Sequence, residues 1–287
     1  MRHAFPALLC ILAAAPSLAA EPASPVLGCW ENDEDAEDRI LLEPHKLTHR
    51  QGEEMEFVEA RYQPGKIVLD FGKSTCDFQL KDGKLLIIEH SYHRLDKTPP
   101  EMRLQPLPLG KKQDLPAEKV KAVQEELARR QQTDQEVRTD PEKQGDMGTV
   151  DGENTARLVE LVQEVGWIDV SRFGKEASTA AFLIVQHSGN RPLMAAALPE
   201  IEKDLKAGIG DPQDFALLYD RLKLYLGERQ RYGSQIGPGK DGSPMVLPLE
   251  DRKRVEEFRK AIGLFPLATY LQIYARQSGK PVGFSDD

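Results

Sequence analysis

The apolar residues of this chain change their spacing once, and that change limits the possible folds more than any other feature. From Leu27 to about Leu95 they fall in short alternating runs, separated by turn residues such as Asp82-Gly83. After residue 115 they recur about every 3.6 positions. Alternation is typical of strands and the longer period of helices. The sequence therefore predicts an α+β protein, with antiparallel strands first and helices second.

The chain of 287 residues is long enough for about two domains. Residues 27–96 are predicted to form a small antiparallel meander or barrel of five or six strands. Residues 97–115 are rich in proline, which indicates a linker or a surface strap. Residues 116–276 are predicted to form a mainly helical domain with one β-hairpin, made of runs at 231–236 and 245–249. Its helices are expected at 116–138, 154–165, 175–187, 193–207, 211–226, 251–262 and 266–276.

The first residues have the composition of a secretory signal peptide. Arg2 precedes an apolar stretch from Phe5 to Ala15, and small residues up to Ala20 supply a cleavage site. We therefore expect residues 1–20 to be removed and the mature protein to be periplasmic or secreted. No later apolar stretch approaches the ~20 residues that cross a bilayer, so no membrane span is expected.

The charge balance disfavours one class of partner. The chain has 38 Lys and Arg against 47 Asp and Glu, a formal net charge of -9, and no basic cluster. Proteins that bind nucleic acids need a basic surface to displace counterions. No nucleic-acid partner is therefore expected.

Removal of the signal peptide would leave two cysteines, Cys29 and Cys76. In an oxidising compartment an even pair most simply forms a disulfide, and this is the prediction. The alternative is a pair of buried free thiols.

Several polar residues fall on or next to the apolar faces of the predicted helices, where burial is expected. The apolar spacing of the first helix, when extended, reaches Asp134 and then Arg138; in the later helices it reaches Asn154, His187 and the pair Asp220-Arg221. A charge buried without a partner is costly, so these groups pair with one another, meet ordered water or line a ligand site. A purely structural network remains an equal alternative, because Asp134 and Arg138 also have the spacing of an ordinary ion pair along a helix.

The segment from Gln230 to Gln235 is the best candidate for ligand recognition. On a strand, Gln230 and Tyr232 would share one face, and Gly233 would permit a bulge that redirects Gln235. Amide side chains donate and accept hydrogen bonds at once, which suits an amide, sugar or peptide ligand. The alternative is a hairpin edge with solvated glutamines.

Short motifs in this half of the chain, in this order, resemble a bacterial family that is labelled a domain of unknown function. The resemblance spans roughly Glu118 to Tyr274 and supplies no established reaction. It implies that the strands before it are a separate attachment. The motifs are Asp134-Gln135 with Arg138, Asn154-Thr155 with Arg157-Leu158, Gly166-Trp167, Gln186-His187, Asp220-Arg221, Gln230-x-Tyr232-Gly233-x-Gln235 and Pro248-x-Glu250-Asp251.

The strands themselves are similar to small lipocalin-like barrels, whose first strand carries a Gly-x-Trp motif. Here the motif is Gly28-Cys29-Trp30. The resemblance covers about seventy residues and implies a meander or barrel.

The common catalytic and cofactor motifs are absent from the sequence: it has no Gly-x-Ser-x-Gly elbow, P-loop, dinucleotide fingerprint or His-Glu-x-x-His helix. Four histidines in the strands, His45, His49, His90 and His93, would bind a metal only if their segments were adjacent, and isolated surface histidines explain them better. No metal and no cofactor is expected.

Two functional hypotheses remain from the sequence. The first is a non-catalytic binding module for a polar small molecule or a protein partner, in which the ligand-binding residues are Asp134, Arg138, Asn154, Asp220, Arg221, Gln230, Tyr232 and Gln235. The second is an extracytoplasmic hydrolase or transferase that uses His187 as general acid or base and Arg221 to stabilise negative charge. No nucleophile is evident, so water would have to attack. The first hypothesis is preferred.

Overall fold

The computed structural model describes residues 26–69, 74–87, 89–239 and 241–285. The predicted signal peptide lies outside the described residues. The chain divides into two compact units. One contains the described residues up to Arg103 with Lys223–Arg229 and the last residues from Phe284, and the other contains Leu104–Leu222 with Gln230–Gly283.

The first unit is a closed barrel of eight antiparallel strands, each paired with the next, and the last with the first. The predicted α+β class is confirmed, but the expectation of five or six strands was too low. A two-residue turn without glycine, such as Pro44-His45 between β2 and β3, leaves little signal in the sequence. The strands are β1 Gly28–Asn32, β2 Asp38–Glu43, β3 Lys46–Gln51, β4 Glu54–Gln63, β5 Lys66–Leu69, β6 Ser74–Lys81, β7 Lys84–Ile87 and β8 His90–Arg94.

Side chains fill the interior of the barrel. Successive residues of a strand point to opposite faces, so alternate apolar residues form one core. This core includes Trp30, Ile40, Leu42, Ala60, Ile67, Leu85 and Tyr92. An up-and-down barrel of eight strands is also the architecture of lipocalins.

The predicted disulfide is not present, because Cys29 and Cys76 are both buried thiols that are not joined to each other. Cys29 packs with Leu41 and Met102, whereas Cys76 belongs to the core cluster around Trp30. Their strands, β1 and β6, are not neighbours in the barrel. The two thiols thus lie in separate hydrophobic clusters, as in the alternative reading of the sequence.

The proline-rich segment is a strap. Its first part forms a short 3-10 helix, Pro100–Met102, within the barrel unit. In the helical unit, the Leu107 N–H donates to the Pro192 carbonyl at 2.9 Å and the Gly110 N–H to the Val162 carbonyl at 2.9 Å. A Cβ at Gly110 would lie 2.2 Å from the Gln163 carbonyl oxygen, so this close approach requires glycine.

The second unit contains seven α-helices and a small sheet among the described residues. The sheet order is β11–β10–β9, in which β9 and β10 form an antiparallel hairpin. The strands are β9 Ile236–Pro238, β10 Pro244–Val246 and β11 Gly283–Phe284. The helices are α1 Ala117–Thr139, α2 Met147–Val165, α3 Val170–His187, α4 Arg191–Lys206, α5 Pro212–Tyr225, α6 Val255–Ala261 and α7 Leu267–Ser278.

Two of the differences from the predicted helices have local causes. Helix α3 begins before the expected Lys175, since Asp169 accepts the Arg172 N–H and caps it. Gly174, with φ 79°, interrupts this helix and hides its start from a periodicity argument. Helix α6 begins after the expected Asp251, because that carboxylate accepts the Lys253 and Arg254 N–H groups in a turn.

Helices α1, α2 and α3 pack against one another and carry the core of this unit. Leu127, Leu158, Val162, Ala180 and Ile184 are all buried there. Within the described residues, no helix combines the length and apolar character needed to span a bilayer.

A small cavity of about 20 Å³ lies among α3, α4 and α5 and contains Asp214. This space holds about one water molecule. Phe182, Ile201 and Ile209 contribute apolar walls. Burial raises the pKa of Asp214 to about 7, the negative charge of Asp211 adds to the rise, and Lys175 opposes it. Ionisation of Asp214 near neutral pH therefore lowers the free energy of unfolding.

We expect Asp214→Asn to stabilise the protein at pH 8. In the unfolded chain Asp214 ionises near its ordinary pKa, so its contribution to stability falls as the pH rises from about 4 to 7 and stays low above that. The neutral amide avoids this loss and should raise the free energy of unfolding by roughly 1–3 kcal/mol at pH 8 and by little at pH 4. Urea denaturation at both pH values measures it, with the exposed Glu142→Gln as control. An equal effect at both pH values would contradict this account.

Candidate functional site

Four side chains from three helices meet at the C-terminal end of α3, and we call them the His187 cluster: Asp134, Arg138, Asp151 and His187. The His187 Nδ1 lies 2.9 Å from the Asp134 Oδ1. The Arg138 guanidinium bridges the two acids, at 3.2 Å from Asp134 and 2.7 Å from Asp151. The cluster thus joins α1, α2 and α3 through polar contacts.

Asp134 is at the centre of the cluster because of its position on α1. It lies on the same face as Leu127 and Val137, and only 1% of its side chain is exposed. The Gln135 Nε2 donates to its second carboxylate oxygen at 2.8 Å. Burial raises the pKa of Asp134, but the hydrogen bond and charge of His187, with the charge of Arg138, outweigh this and hold the pKa below its usual value. Asp134 is therefore a buried carboxylate that stays ionised.

The other three members of the cluster remain in contact with solvent. The exposed fractions of the side chains are 19% for Arg138, 21% for Asp151 and 20% for His187. Because Asp134 takes the Nδ1 side of the imidazole, the other ring nitrogen of His187 is available to a bound molecule. Among the described residues, Asp134 is its only hydrogen-bond partner.

Asn154 lies on the same face of α2 as Asp151, one turn further along. Its Oδ1 accepts from the Arg130 Nη1 at 3.0 Å, while its buried Nδ2 has no hydrogen-bond partner. Gln186, beside His187 in the chain, has a buried Oε1 that is also without a partner. Buried polar atoms are nearly always satisfied, so the exception at Asn154, one turn from Asp151, indicates a place for water or a ligand. The Gln186 amide instead faces α5, where its Nε2 lies 3.5 Å from the Leu217 carbonyl oxygen.

Sequence reasoning missed Asp151 and Arg130. The sequence predicts the start of this helix at residue 154, whereas α2 begins at Met147, so Asp151 falls on no predicted helix face. The available signal was the spacing of three residues between Asp151 and Asn154, which puts both on one side of a helix.

Asp220 organises the segment that follows α5. Its side chain is fully buried, and its carboxylate accepts the backbone N–H groups of Arg231 at 2.8 Å, Tyr232 at 3.0 Å and Ser234 at 2.9 Å. Burial raises the pKa of Asp220, and these N–H bonds offset only part of that rise. The acceptor capacity of Asp220 is therefore used within the chain.

The strand predicted over Arg231–Ile236 is wrong except at Ile236, which begins β9. The N–H groups of residues 231, 232 and 234 bind Asp220 and not a neighbouring strand. Gly233, with φ 68°, supplies the left-handed turn that this loop needs.

The two glutamines of the predicted recognition segment are buried and bonded internally. The Gln230 Oε1 accepts the Gln235 N–H at 2.8 Å, and its Nε2 donates to the carbonyls of Gln235 and Leu247. The Gln235 Nε2 donates to the Leu217 carbonyl at 3.2 Å. Neither amide presents a free edge at the surface.

Tyr232 is also part of this internal structure. Its ring packs against Phe215 and Tyr219, and only 6% of the residue is exposed. The buried Arg259 donates from Nη1 to the Tyr232 carbonyl at 2.6 Å. Burial raises the pKa of Tyr232 to about 12, so it stays protonated at neutral pH.

Arg221 connects this loop with α3. Its Nε donates to the Gln235 Oε1 at 3.1 Å, and its Nη1 donates to the Gln186 carbonyl. Since Gln186 precedes His187, Arg221 supports the backbone that carries the histidine. The structure thus brings the predicted residues together in two neighbouring groups. One is the partly exposed His187 cluster, and the other is the group around Asp220, which is buried except for the half-buried Arg221.

Three members of the cluster also have the spacing of metal ligands. Within the described part of the chain, Asp134, Asp151 and His187 are the residues whose ligand atoms all lie within 4.8 Å of one another. Two of the four barrel histidines are paired with carboxylates: His49 contacts Asp38 at 2.9 Å and His93 contacts Asp33 at 3.1 Å.

We expect Asp220→Asn to lower the free energy of unfolding by about 3 kcal/mol, because at least one buried N–H would lose its acceptor. Asp214→Asn, the same chemical change on the same helix, serves as the control and should not destabilise. Urea denaturation at pH 8 measures both. A loss below about 1 kcal/mol for Asp220→Asn would show that its hydrogen bonds are dispensable.

Comparison with known proteins identifies the helical unit at the family level. A family model described as "Family of unknown function (DUF6624)" matches residues 113–282, more than half of the chain. A search of the curated proteins and a search of the solved structures each gave no match. The resemblance inferred from the sequence motifs is therefore confirmed, and the chain belongs to the DUF6624 family of unknown function.

Proposed function

We propose that this chain is an exported binding protein whose helical unit binds a polar small molecule at the His187 cluster. The observation that carries the proposal is the accessible set of one arginine, one histidine and one aspartate, held in place by the buried Asp134. Together these side chains offer donors and acceptors to a ligand.

The first support is rigidity. Asp134 fixes the His187 ring through Nδ1, and Arg138 is tied to both acids. Groups that are already oriented lose little conformational entropy when a ligand binds. The cluster is therefore preorganised, unlike a set of free surface side chains.

The second support is an unsatisfied polar atom one helical turn from Asp151. The Asn154 Nδ2 is a buried donor without a partner. An acceptor on a ligand or on ordered water would satisfy it.

This proposal moves the binding site away from the residues around Asp220. Asp220, Gln230 and Gln235 use their hydrogen-bonding atoms on the backbone and on Arg221. We assign them a positioning role, because they hold the loop that supports Arg221 and the end of α3.

A second candidate function is acid–base catalysis, and the contact between Asp134 and His187 favours it. A buried carboxylate on one imidazole nitrogen leaves the other nitrogen ready to take a proton from water or a substrate hydroxyl. No serine, threonine or cysteine in the described residues donates a hydrogen bond to His187, so such an enzyme would use water as the nucleophile. The lack of a complete catalytic set makes binding the preferred proposal.

Export is the part of the proposal that rests on residues 1–20 alone. The basic start, the apolar stretch from Phe5 to Ala15 and the small residues up to Ala20 match a signal peptide. The mature protein would then meet its ligand outside the cytoplasm.

The proposed site predicts that a ligand held by the wild-type protein is lost from Arg138→Gln. This change removes the charge and the forked geometry that bind a polar group. Native mass spectrometry of gently purified mature protein measures the retained mass, and Arg129→Gln, an exposed arginine of the same helix, is the control.

His187→Gln separates the two candidate functions. For a binding protein, retention of the ligand falls in both His187→Gln and Arg138→Gln. For an enzyme, His187→Gln retains an unreacted compound that the wild type converts. Equal retention in the wild type and both variants, or no retained mass in the wild type, would contradict the proposal.

A further inference from the structure

We infer that the His187 cluster also binds a divalent transition-metal ion through Asp134, Asp151 and His187, in competition with the side chain of Arg138. The inference rests on the proposed function, because the metal ion and the polar ligand would bind at the same accessible His187 cluster. It names a ligand class that the family description leaves open.

The geometry of the three side chains fits a metal centre. One ligand atom from each residue lies within 4.8 Å of the others. A metal ion bound between Asp134 and the His187 Nδ1 would replace the proton that these two atoms share, and that proton would be released to solvent. Zinc and similar ions bind nitrogen and oxygen ligands at about 2.0–2.2 Å, so two ligands of one ion are separated by up to about 4 Å. A small inward movement of the side chains is enough to close the site.

The donor atoms select the kind of ion. An imidazole nitrogen with two carboxylate oxygens suits Zn²⁺, Ni²⁺ or Co²⁺. Calcium and magnesium prefer oxygen ligands alone. The site is therefore expected to discriminate against Mg²⁺.

Arg138 occupies the position that a bound cation would take. Its guanidinium lies 2.7 Å from Asp151 and 3.2 Å from Asp134, between the two carboxylates that would bind the ion. Two positive groups cannot share this position, because like charges at close range repel strongly. Since 19% of the Arg138 side chain is exposed, it has a direct path into solvent when a metal binds.

Asn154 supplies an independent observation. It follows Asp151 by one turn of α2, is buried, and its Nδ2 has no acceptor. A bound metal ion usually keeps water in the coordination positions that the protein leaves open. The oxygen of such a water would give this donor a hydrogen-bond partner.

Competition between Arg138 and the metal ion predicts changes in metal affinity that nonspecific surface binding would not show. Removal of Arg138 takes away a competing charge without touching a ligand, so it should tighten metal binding by about tenfold. Loss of a ligand in Asp151→Asn or His187→Gln should weaken it by at least tenfold.

The experiment titrates Zn²⁺, and Mg²⁺ for comparison, into chelator-treated full-length mature protein without a polyhistidine tag, by isothermal titration calorimetry. Co²⁺ absorption provides a second readout of the coordinated ion. The variants are Asp151→Asn, His187→Gln and Arg138→Met, with Glu153→Gln as the control for charge on the same helix. Circular dichroism confirms that each variant is folded.

The expected result is one equivalent of Zn²⁺ bound by the wild type and by Glu153→Gln, weaker binding by Asp151→Asn and His187→Gln, and tighter binding by Arg138→Met. Absence of Zn²⁺ binding to the wild type would overturn the inference, whatever Arg138→Met does. Equal affinity of the wild type and both ligand variants would also overturn it. If chelator-treated protein retains a polar molecule in native mass spectra, the proposed function is supported even when Zn²⁺ does not bind.

Discussion

The buried carboxylate of Asp220 is the contact on which the local structure around the candidate site depends. A fully buried acid needs hydrogen-bond donors from the chain, and Asp220 finds them in three backbone N–H groups of the loop after α5. The loop is thereby held in a shape that no strand would adopt. Gln230 and Gln235 then complete its backbone hydrogen bonds, and Arg221 connects it to the residue before His187.

This arrangement separates two roles among the polar residues of the helical unit. Those around Asp220 have their hydrogen-bonding atoms occupied by the chain, so they stabilise and position. Those around His187 are held by one buried acid and still contact solvent. Residues of the same chemical types thus differ in how far they are available to a ligand, because their hydrogen-bonding atoms are occupied to different extents. Composition and motif order do not reveal this difference.

The sequence predicted most of the strands and helices, because the spacing of apolar residues along the chain indicates which kind of element each segment forms. Alternation marks the barrel strands, and the helical stripe of α1 led to Asp134, which is buried as its spacing from Leu127 requires. Similarly, the apolar spacing of α3 led to His187.

Whether the two cysteines pair could not be predicted in this way. Alternation shows which residues share a face of a strand, but it does not show which strands are neighbours in the barrel. Cys29 and Cys76 lie in different clusters. Likewise, Asp151 lies in a polar, glycine-containing part of α2 that has no apolar stripe, and the loop at Arg231–Gln235 depends on a distant side chain, Asp220.

The central claim is that the buried Asp134 fixes the His187 ring with its outer nitrogen free for a ligand. The most direct measurement is a long-range ¹H–¹⁵N NMR spectrum of the histidine rings at pH 8, with His187 assigned by the signals that disappear in His187→Gln. The account predicts the tautomer protonated at Nδ1, because the hydrogen bond to Asp134 holds the proton there. A neutral ring protonated at Nε2, or one that exchanges rapidly between both tautomers, would contradict it.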